Sequence, residues 1–359
     1  MAAKRIIGVD VARALAVIGM IVVNFKTVFG AEESPLLKTI VSVFDGKAAA
    51  TFVVLAGVGV AFMTNSAMRN ADKGKLKTAR WRIGKRALFL FVVGLSYLWI
   101  WPADILHFYG VYMLLALAFI PASNRRILAA VAGMILSYPL LMMLVDYDTA
   151  WNFDTLEYRD FWTISSFLRN LFYNGFHPVI PWAAFLLFGV WFGRQDLRND
   201  AFVKKMLFVG STTFIFVQLF SYGLLWFLSG GDPQAYAELE QVLGTSPMPP
   251  LPIYMVNGIA SAVVIISSCI LLARRIPTSF LIDALAKTGQ LALTFYIAHV
   301  IIGMGLVESF LDEPFGGYSI AFSLGYALLF SLACVVFALV WRKFFASGPL
   351  EWVMRKITG

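Results

Sequence analysis

The 359-residue sequence predicts an all-α fold, a polytopic transmembrane helix bundle of about ten spans with both termini cytoplasmic. Hydrophobic residues make up 60% of the chain and charged residues only 14%, which excludes an ordinary water-soluble domain. Several apolar runs approach the roughly 20 residues that cross a bilayer as a helix. Lys and Arg cluster between those runs, which is the positive-inside pattern. The net charge of +8 is therefore explained by the orientation of the chain in the membrane and does not indicate a nucleic-acid partner.

Ten apolar runs alternate in direction so that every Lys/Arg cluster falls on the cytoplasmic side. We predict the spans at 8–25, 45–65, 87–101, 105–121, 127–145, 178–193, 206–228, 253–273, 290–310 and 318–340. The most basic segment, from Arg69 to Arg86, is predicted as a cytoplasmic loop. The external loops are predicted at 26–44, 146–177, with an interfacial helix around 161–172, and 229–252. We expect a single integral-membrane domain over residues 1–359.

The first span is unusual because it carries Asp10, Arg13 and Asn24. Arg13 and Asn24 are three helical turns apart and share one face, and Asp10 lies one turn before Arg13. Ionisable groups inside a bilayer cost several kcal/mol unless they face a protein interior or an aqueous cavity. We therefore predict that this helix lines a polar site. The alternative, an Asp10–Arg13 pair that only anchors the helix at the inner interface, does not account for Asn24.

Other polar side chains at membrane depth are candidates for the same site. His177 precedes Pro178, a residue suited to the first position of a helix, so its imidazole is placed to accept a proton from a hydroxyl or amine. Histidines inside a helix are more often satisfied core groups, which is the competing interpretation of His107 and His299. The topology places His299 near the midplane and Asp10 and Arg13 toward the inside. The residues that it places toward the outer side are Asn24, Asp45, Lys47, Asp104, His107, His177 and Asn257.

Motifs for other chemistry are missing from the sequence. It contains no GxSxG, HExxH or P-loop motif and no metal-ligand spacing, so no metal is expected. Cys269 and Cys334 lie in apolar runs and are predicted to be small core residues without a disulfide.

Six motifs carry a resemblance to a known family. They are VDVARALAVIGMIVVN (9–24), DGKAAATFVVLAGVGVAF (45–62), DILHFYGVYMLLAL (104–117), HPVIPWAAFLLFGVWFGR (177–194), KTGQLALTFYIAHV (287–300) and GPLEWVMRKIT (348–358). In this order they resemble the transmembrane acyltransferase superfamily. The chain is similar to its YeiB-type bacterial members, which are related to heparan-α-glucosaminide N-acetyltransferase and more distantly to acyltransferase-3 proteins. The GPLEW segment is the most specific of the six.

The resemblance implies transfer of an acyl group, usually acetyl from acetyl-CoA, to a sugar-like or other acceptor across a bacterial plasma (inner) membrane. Asn24 matches an active-site asparagine of the glucosaminide enzyme. That enzyme has a catalytic histidine in the following loop, whereas this sequence has none between Asn24 and Asp45. Either His177 or His107 substitutes for it, or the chemistry differs.

The leading hypothesis is an acyl-CoA-dependent acyltransferase. His177 acts as general base, Asn24 donates to the thioester carbonyl and Asp45 orients His177 or Lys47, while Arg13 binds CoA phosphate. The full set of predicted substrate-binding residues is Asp10, Arg13, Lys47, Asp104, His107, Asn257 and His299. The expected partners are membrane lipids, acyl-CoA and a carbohydrate-like or other small acceptor, with a homodimer left open.

Two other classes of function stay open. The first is a transporter or lipid-handling protein in which the polar layer is a permeation path, because intramembrane charges mark such paths equally well. The second is a non-catalytic scaffold or sensor in which Asp10–Arg13 and Asp45–Lys47 are structural pairs.

Overall fold

The computed structural model describes residues 5–31, 37, 44–153, 155–310 and 316–359. These ranges are mostly helical, and their strands are two residues long. The helices are α1 Ile7–Phe29, α2 Lys47–Arg69, α3 Lys73–Ser96, α4 Leu106–Phe119, α5 Asn124–Leu144, α6 Ile164–Arg169, α7 Val179–Arg194, α8 Asp200–Ser229, α9 Pro233–Leu243, α10 Pro252–Arg275, α11 Phe280–Gly289, α12 Ala292–Ala298, α13 Gly305–Phe310, α14 Ile320–Phe344 and α15 Pro349–Thr358. The strands are β1 Gly30–Ala31, β2 Trp151–Asn152, β3 Glu157–Tyr158 and β4 Tyr318–Ser319.

The helices are long and apolar enough for a multi-pass membrane protein. Within the described ranges, seven helical segments qualify as spans by length and composition, or eight when Ile164–Asn174 and Val179–Arg194, which meet at a 49° bend, count as one. The predicted all-α membrane bundle is thereby confirmed. The number of ten spans and the cytoplasmic termini remain predictions.

Two segments predicted as loops contain helices. The basic segment is helical from Lys73, because the Asp72 carboxylate accepts a hydrogen bond from the Lys75 amide at 2.9 Å and caps the helix. This bond lowers the pKa of Asp72. The predicted external loop at 229–252 contains α9, capped in the same way by Asp232. Of the predicted loop at 26–44, residues 32–36 and 38–43 lie outside the described residues.

The chain folds into two compact units, each built from separated segments. The first unit comprises Met1–Phe52, Leu197–Gly210 and Ser261–Lys356. Its centre is α1, which packs against α11, α12 and α14. A Cβ at Gly289 would lie 1.9 Å from the Asp10 carbonyl oxygen, so only glycine permits this close approach of α11 to α1. Directly after α1, β1 pairs with β4 in parallel.

The second unit comprises Val53–Asp196, Ser211–Ala260 and Ile357–Gly359. Helix α4 packs against α3 and α7, and α7 packs against α5. The Arg194 guanidinium donates to the carbonyl oxygens of Ile120 at 2.6 Å and Ala122 at 2.7 Å, which satisfies free carbonyls at the end of α4. Between α5 and α6, β2 and β3 form an antiparallel pair.

The GPLEW segment has a structural role in the first unit. The buried Glu351 carboxylate, at the start of α15, accepts hydrogen bonds from the Leu293 amide at 2.8 Å, the Thr294 amide at 3.2 Å and the Thr294 hydroxyl at 2.6 Å. These amides are donors at the amino end of α12 that the helix itself leaves unsatisfied. Glu351 is therefore an N-terminal cap supplied from a distant part of the sequence.

Glu351→Ala should lower the free energy of unfolding by about 2–3 kcal/mol, because hydrogen bonds to a charged group contribute roughly 1.5–3 kcal/mol. Thermal unfolding in detergent micelles measures the effect. The control is Glu308→Ala, which removes an exposed carboxylate of the same unit and should change stability by less than about 0.5 kcal/mol. Equal melting temperatures for the two variants would contradict this capping role.

Candidate functional site

Asn24 and His299 form a hydrogen-bonded pair within the first unit. The Asn24 Nδ2 atom lies 2.8 Å from Nε2 of His299, although the two residues are 275 positions apart. His299 is fully buried and Asn24 is half-buried. An amide N–H can only donate, so the imidazole accepts at Nε2 and carries its proton on Nδ1. The pair is therefore neutral, as a site in an apolar interior requires.

The local backbone and aromatic neighbours position this pair. His299 begins a π-helical turn, His299–Met304, that joins α12 to α13. Such turns are rare in proteins, and those that do occur are frequently found at functional sites. The rings of Tyr296 and Phe25 lie 5.2 and 6.2 Å from the imidazole, centre to centre. These rings exclude water and strengthen polar interactions with a group bound beside them.

Asp45 is bound by a residue that sequence analysis missed. The Lys26 ammonium lies 2.9 and 2.7 Å from the two oxygens of the Asp45 carboxylate. Lys26 is two residues after Asn24, and its charge in the last turn of α1 was the available signal. Lys47, a predicted substrate-binding residue, begins α2 two residues after Asp45. The orienting role predicted for Asp45 toward Lys47 or His177 remains a prediction.

Asp10 and Arg13 form the ion pair that their spacing predicts. The Arg13 Nη1 atom lies 2.9 Å from the Asp10 carboxylate, which is almost fully buried. Arg5, which sequence analysis did not consider, donates to the same carboxylate at 2.9 Å. Asp10 is thus neutralised by two guanidinium groups, both partly exposed. The two guanidinium groups carry one positive charge more than the carboxylate balances, which suits an anionic ligand. The phosphate contact predicted for Arg13 remains a prediction.

In the second unit, Asp104 and His107 form a buried dyad. Asp104 Oδ2 accepts from the His107 backbone amide and from ring Nδ1, each at 3.1 Å. The other oxygen, Oδ1, accepts from the Tyr97 hydroxyl. Both side chains of the dyad are at most 1% exposed. Sequence analysis placed Asp104 and His107 at the same depth but did not predict their contact or the part of Tyr97.

His177 lies in the break between α6 and α7 of this unit. Pro178 caps α7, whose first helical residue is Val179, so the helix begins one position later than predicted. The His177 backbone carbonyl accepts a hydrogen bond from the Tyr112 hydroxyl. Its ring stands edge-on to Trp182, with 4.6 Å between centres, and lies 6.0 Å from the Phe108 ring.

Several buried polar atoms of the second unit have no hydrogen-bond partner among the described residues. Among them are His107 Nε2, His177 Nδ1, Trp182 Nε1 and both amide atoms of Asn257. Burying such atoms unpaired costs about 1–3 kcal/mol each. Three of the four residues are predicted site residues, and Trp182 is an addition.

Each predicted site residue is now placed in one of the two units. Asp10, Arg13, Asn24, Asp45, Lys47 and His299 belong to the first, and Asp104, His107, His177 and Asn257 belong to the second. No group of three or more His, Cys, Asp or Glu side chains within the described ranges is arranged to hold a metal ion.

Comparison with protein families gives two matches. Residues 5–221 match the family described as heparan-alpha-glucosaminide N-acetyltransferase, catalytic. Residues 189–359 match a family described as protein of unknown function, DUF418. The first match contains α1, the Asp104–His107 dyad and His177, and the second contains Asn257 and His299. A search of curated proteins gave no match.

Proposed function

This chain belongs to the heparan-alpha-glucosaminide N-acetyltransferase catalytic family in its YeiB-type branch, and we infer from this that it is a membrane-embedded acyltransferase. We propose that it moves an acyl group, most simply acetyl, from cytosolic acyl-CoA to an extracytoplasmic sugar-like amine or hydroxyl. The family match over residues 5–221 is the observation that carries the proposal.

Asn24 is suited to stabilise the negative charge that develops on the thioester oxygen. Its amide nitrogen carries two N–H groups, one of which is bound by His299. The second has no partner among the described residues and is held in a fixed orientation. A preorganised donor of this kind is commonly worth about 2.7–4 kcal/mol of transition-state stabilisation. In this role His299 is a positioning residue, because it acts through Asn24.

His177 is our proposed general base. When the acceptor oxygen or nitrogen attacks the thioester carbon, a C–O or C–N bond forms, the C–S bond breaks and the acceptor loses one proton. His177 takes this proton, which later returns to the sulfur of the departing CoA. The unpartnered Nδ1 atom supports the assignment, and so does the fixed backbone of His177.

The donor's phosphates would be bound by the basic residues near the predicted cytoplasmic side. Arg13 and Arg5 share the single carboxylate of Asp10, which leaves one positive charge in excess. Guanidinium groups bind phosphate through paired hydrogen bonds.

The direct test uses purified protein in nanodiscs with acetyl-CoA and either glucosamine or glucose as acceptor. CoA release and acetylated product are measured together. Product formation with either acceptor supports the proposal, whereas no transfer to any member of a wider panel of amines, alcohols and sugars overturns it.

His177→Ala should lower kcat by at least about 10²-fold, because general acid–base catalysis typically contributes 10²–10⁴-fold. The assay is acetyl transfer under saturating acetyl-CoA. The control is Ser165→Ala, an exposed position of α6 in the same unit, which should retain wild-type turnover. Full activity of His177→Ala would show that another group is the base.

One observation favours the runner-up, a transporter or lipid-handling protein. Ile164–Asn174 and Val179–Arg194 together qualify as one apolar span that is broken by a 49° bend. Broken helices of this kind are common at the substrate sites of transporters. Solute flux into proteoliposomes without acyl transfer would favour this function.

A further inference from the structure

The first half of α3 is the most basic stretch of the chain. Residues 73–86 contain seven Lys or Arg side chains and no Asp or Glu. The carboxylate that caps the helix, Asp72, forms an ion pair with Lys75 at 3.1 Å. In the described part of the chain, Lys77 and Lys85 form no ion pair. Most of this positive charge is therefore not balanced within the helix.

Helical geometry brings exposed side chains of α3 together on one face. Residues spaced by three or four positions lie on the same side of a helix. We call the resulting set the α3 stripe, and it consists of Lys77, Trp81, Lys85, Leu88 and Val92. Trp81 is 67% exposed, Leu88 60% and Val92 56%. The opposite face, which includes Ile83 and Leu90, is buried, and α3 packs against α4.

The α3 stripe changes from cationic to apolar along its length. Its first part contains two lysines on either side of an indole ring, and the Lys85 ammonium lies 5.6 Å from the centre of the Trp81 ring. Its second part, Leu88 and Val92, is apolar. Tryptophan is enriched where a membrane meets water, because its ring is apolar at one end and polar at the other. This order of side chains is that of a helix crossing the headgroup level of a bilayer.

We propose that the cationic part of the α3 stripe binds the phosphate group of an anionic phospholipid, whose acyl chains lie along Leu88 and Val92. Clusters of about four to eight Lys or Arg beside a membrane-embedded segment are suited to anionic lipids. Arg80, which is exposed next to the stripe, adds a guanidinium group that can bond two phosphate oxygens. The apolar continuation favours a lipid over a soluble anion, which needs no apolar surface. The inference does not depend on acyl transfer.

The fluorescence of Trp81 measures contact with the lipid. Purified protein is placed in nanodiscs that contain brominated phosphatidylglycerol or brominated phosphatidylcholine, because bromine quenches a nearby indole. The chain has ten tryptophans, so the signal of Trp81→Phe is subtracted. We expect phosphatidylglycerol to associate at least about fivefold more strongly than phosphatidylcholine, which is roughly the effect of one basic residue near an anionic surface. High salt should reduce this preference.

Two double variants locate the preference. Lys77→Gln with Lys85→Gln should lower it to below about twofold, because the local charge is reduced. The matched control is Lys204→Gln with Lys205→Gln, which removes the same charge from two other exposed lysines and should keep the wild-type preference. The Trp81→Phe subtraction is repeated in each background. Equal losses in the two variants would show that the overall charge attracts the lipid, and would overturn the site.

The wild-type measurement can also overturn the inference by itself. Equal quenching by the two brominated lipids would mean that Trp81 is an interfacial anchor without lipid preference. No quenching by either lipid would mean that a protein surface, such as a second copy of the chain, covers the α3 stripe. Protection of Trp81 from brominated phosphatidylglycerol by added CoA would assign the cations to a soluble anion instead.

Discussion

Asn24→Ala is expected to lower kcat for acetyl transfer by about 10²–10³-fold, the usual cost of removing one oxyanion donor. The amide of Asn24 is held by His299 at 2.8 Å, so it needs no reorganisation when charge develops on the thioester oxygen. Because the interaction strengthens in the transition state, KM for acetyl-CoA should change little. Steady-state kinetics in nanodiscs measure both parameters.

Two further variants define the origin of this loss. Asn24→Asp keeps the size of the side chain but has no N–H groups, so it should be at least as impaired as Asn24→Ala. Thr27→Val changes an exposed residue one turn further along α1 and should retain wild-type kinetics. An Asn24→Ala enzyme with raised KM and unchanged kcat would assign Asn24 to ground-state binding instead.

Gly57→Ala should destabilise the second unit by about 3 kcal/mol, at the upper end of the usual cost of overpacking. A Cβ atom at this position would lie 2.0 Å from the Leu186 carbonyl oxygen of α7. Backbone atoms cannot move aside like the end of a flexible side chain, so α2 and α7 would have to separate. Gly189 faces the same crossing, since its Cβ would lie 2.0 Å from the Val54 carbonyl oxygen.

Gly59→Ala is the matched control in the same helix. No atom lies within 4 Å of a Cβ at position 59, so the new methyl group meets open space. Replacing glycine by alanine inside a helix is favourable by roughly 0.5–1 kcal/mol. Thermal unfolding should therefore separate the two variants clearly. A Gly57→Ala protein as stable as Gly59→Ala would show that the crossing is looser than described.

The sequence predicted the first helix well because its signals are local. Hydrophobic length predicts α1, and a spacing of three residues predicts the Asp10–Arg13 ion pair. Charge clusters between apolar runs predict a multi-pass protein. These features depend on residues near one another in the sequence, and for them helical geometry is enough.

The tertiary contacts of the site could not be predicted in the same way. Asn24 meets His299 across 275 positions, and Glu351 caps a helix that begins more than fifty residues earlier. The Lys26–Asp45 pair depends on how the end of α1 approaches the start of α2. No periodicity specifies such contacts, and without them an isolated polar residue is compatible with both a core role and a catalytic one.

The π-helical turn that begins at His299 also changes which side chains before and after it lie on the same face of the helix. A π turn accommodates one residue more than an α turn, so side chains after it are rotated by about 100° relative to a continuous α-helix. Residues of α12 and α13 that seem to share a stripe on a helical wheel therefore point in different directions. Deleting one residue of this turn would restore a regular helix and redirect every side chain beyond the deletion, although the composition would hardly change.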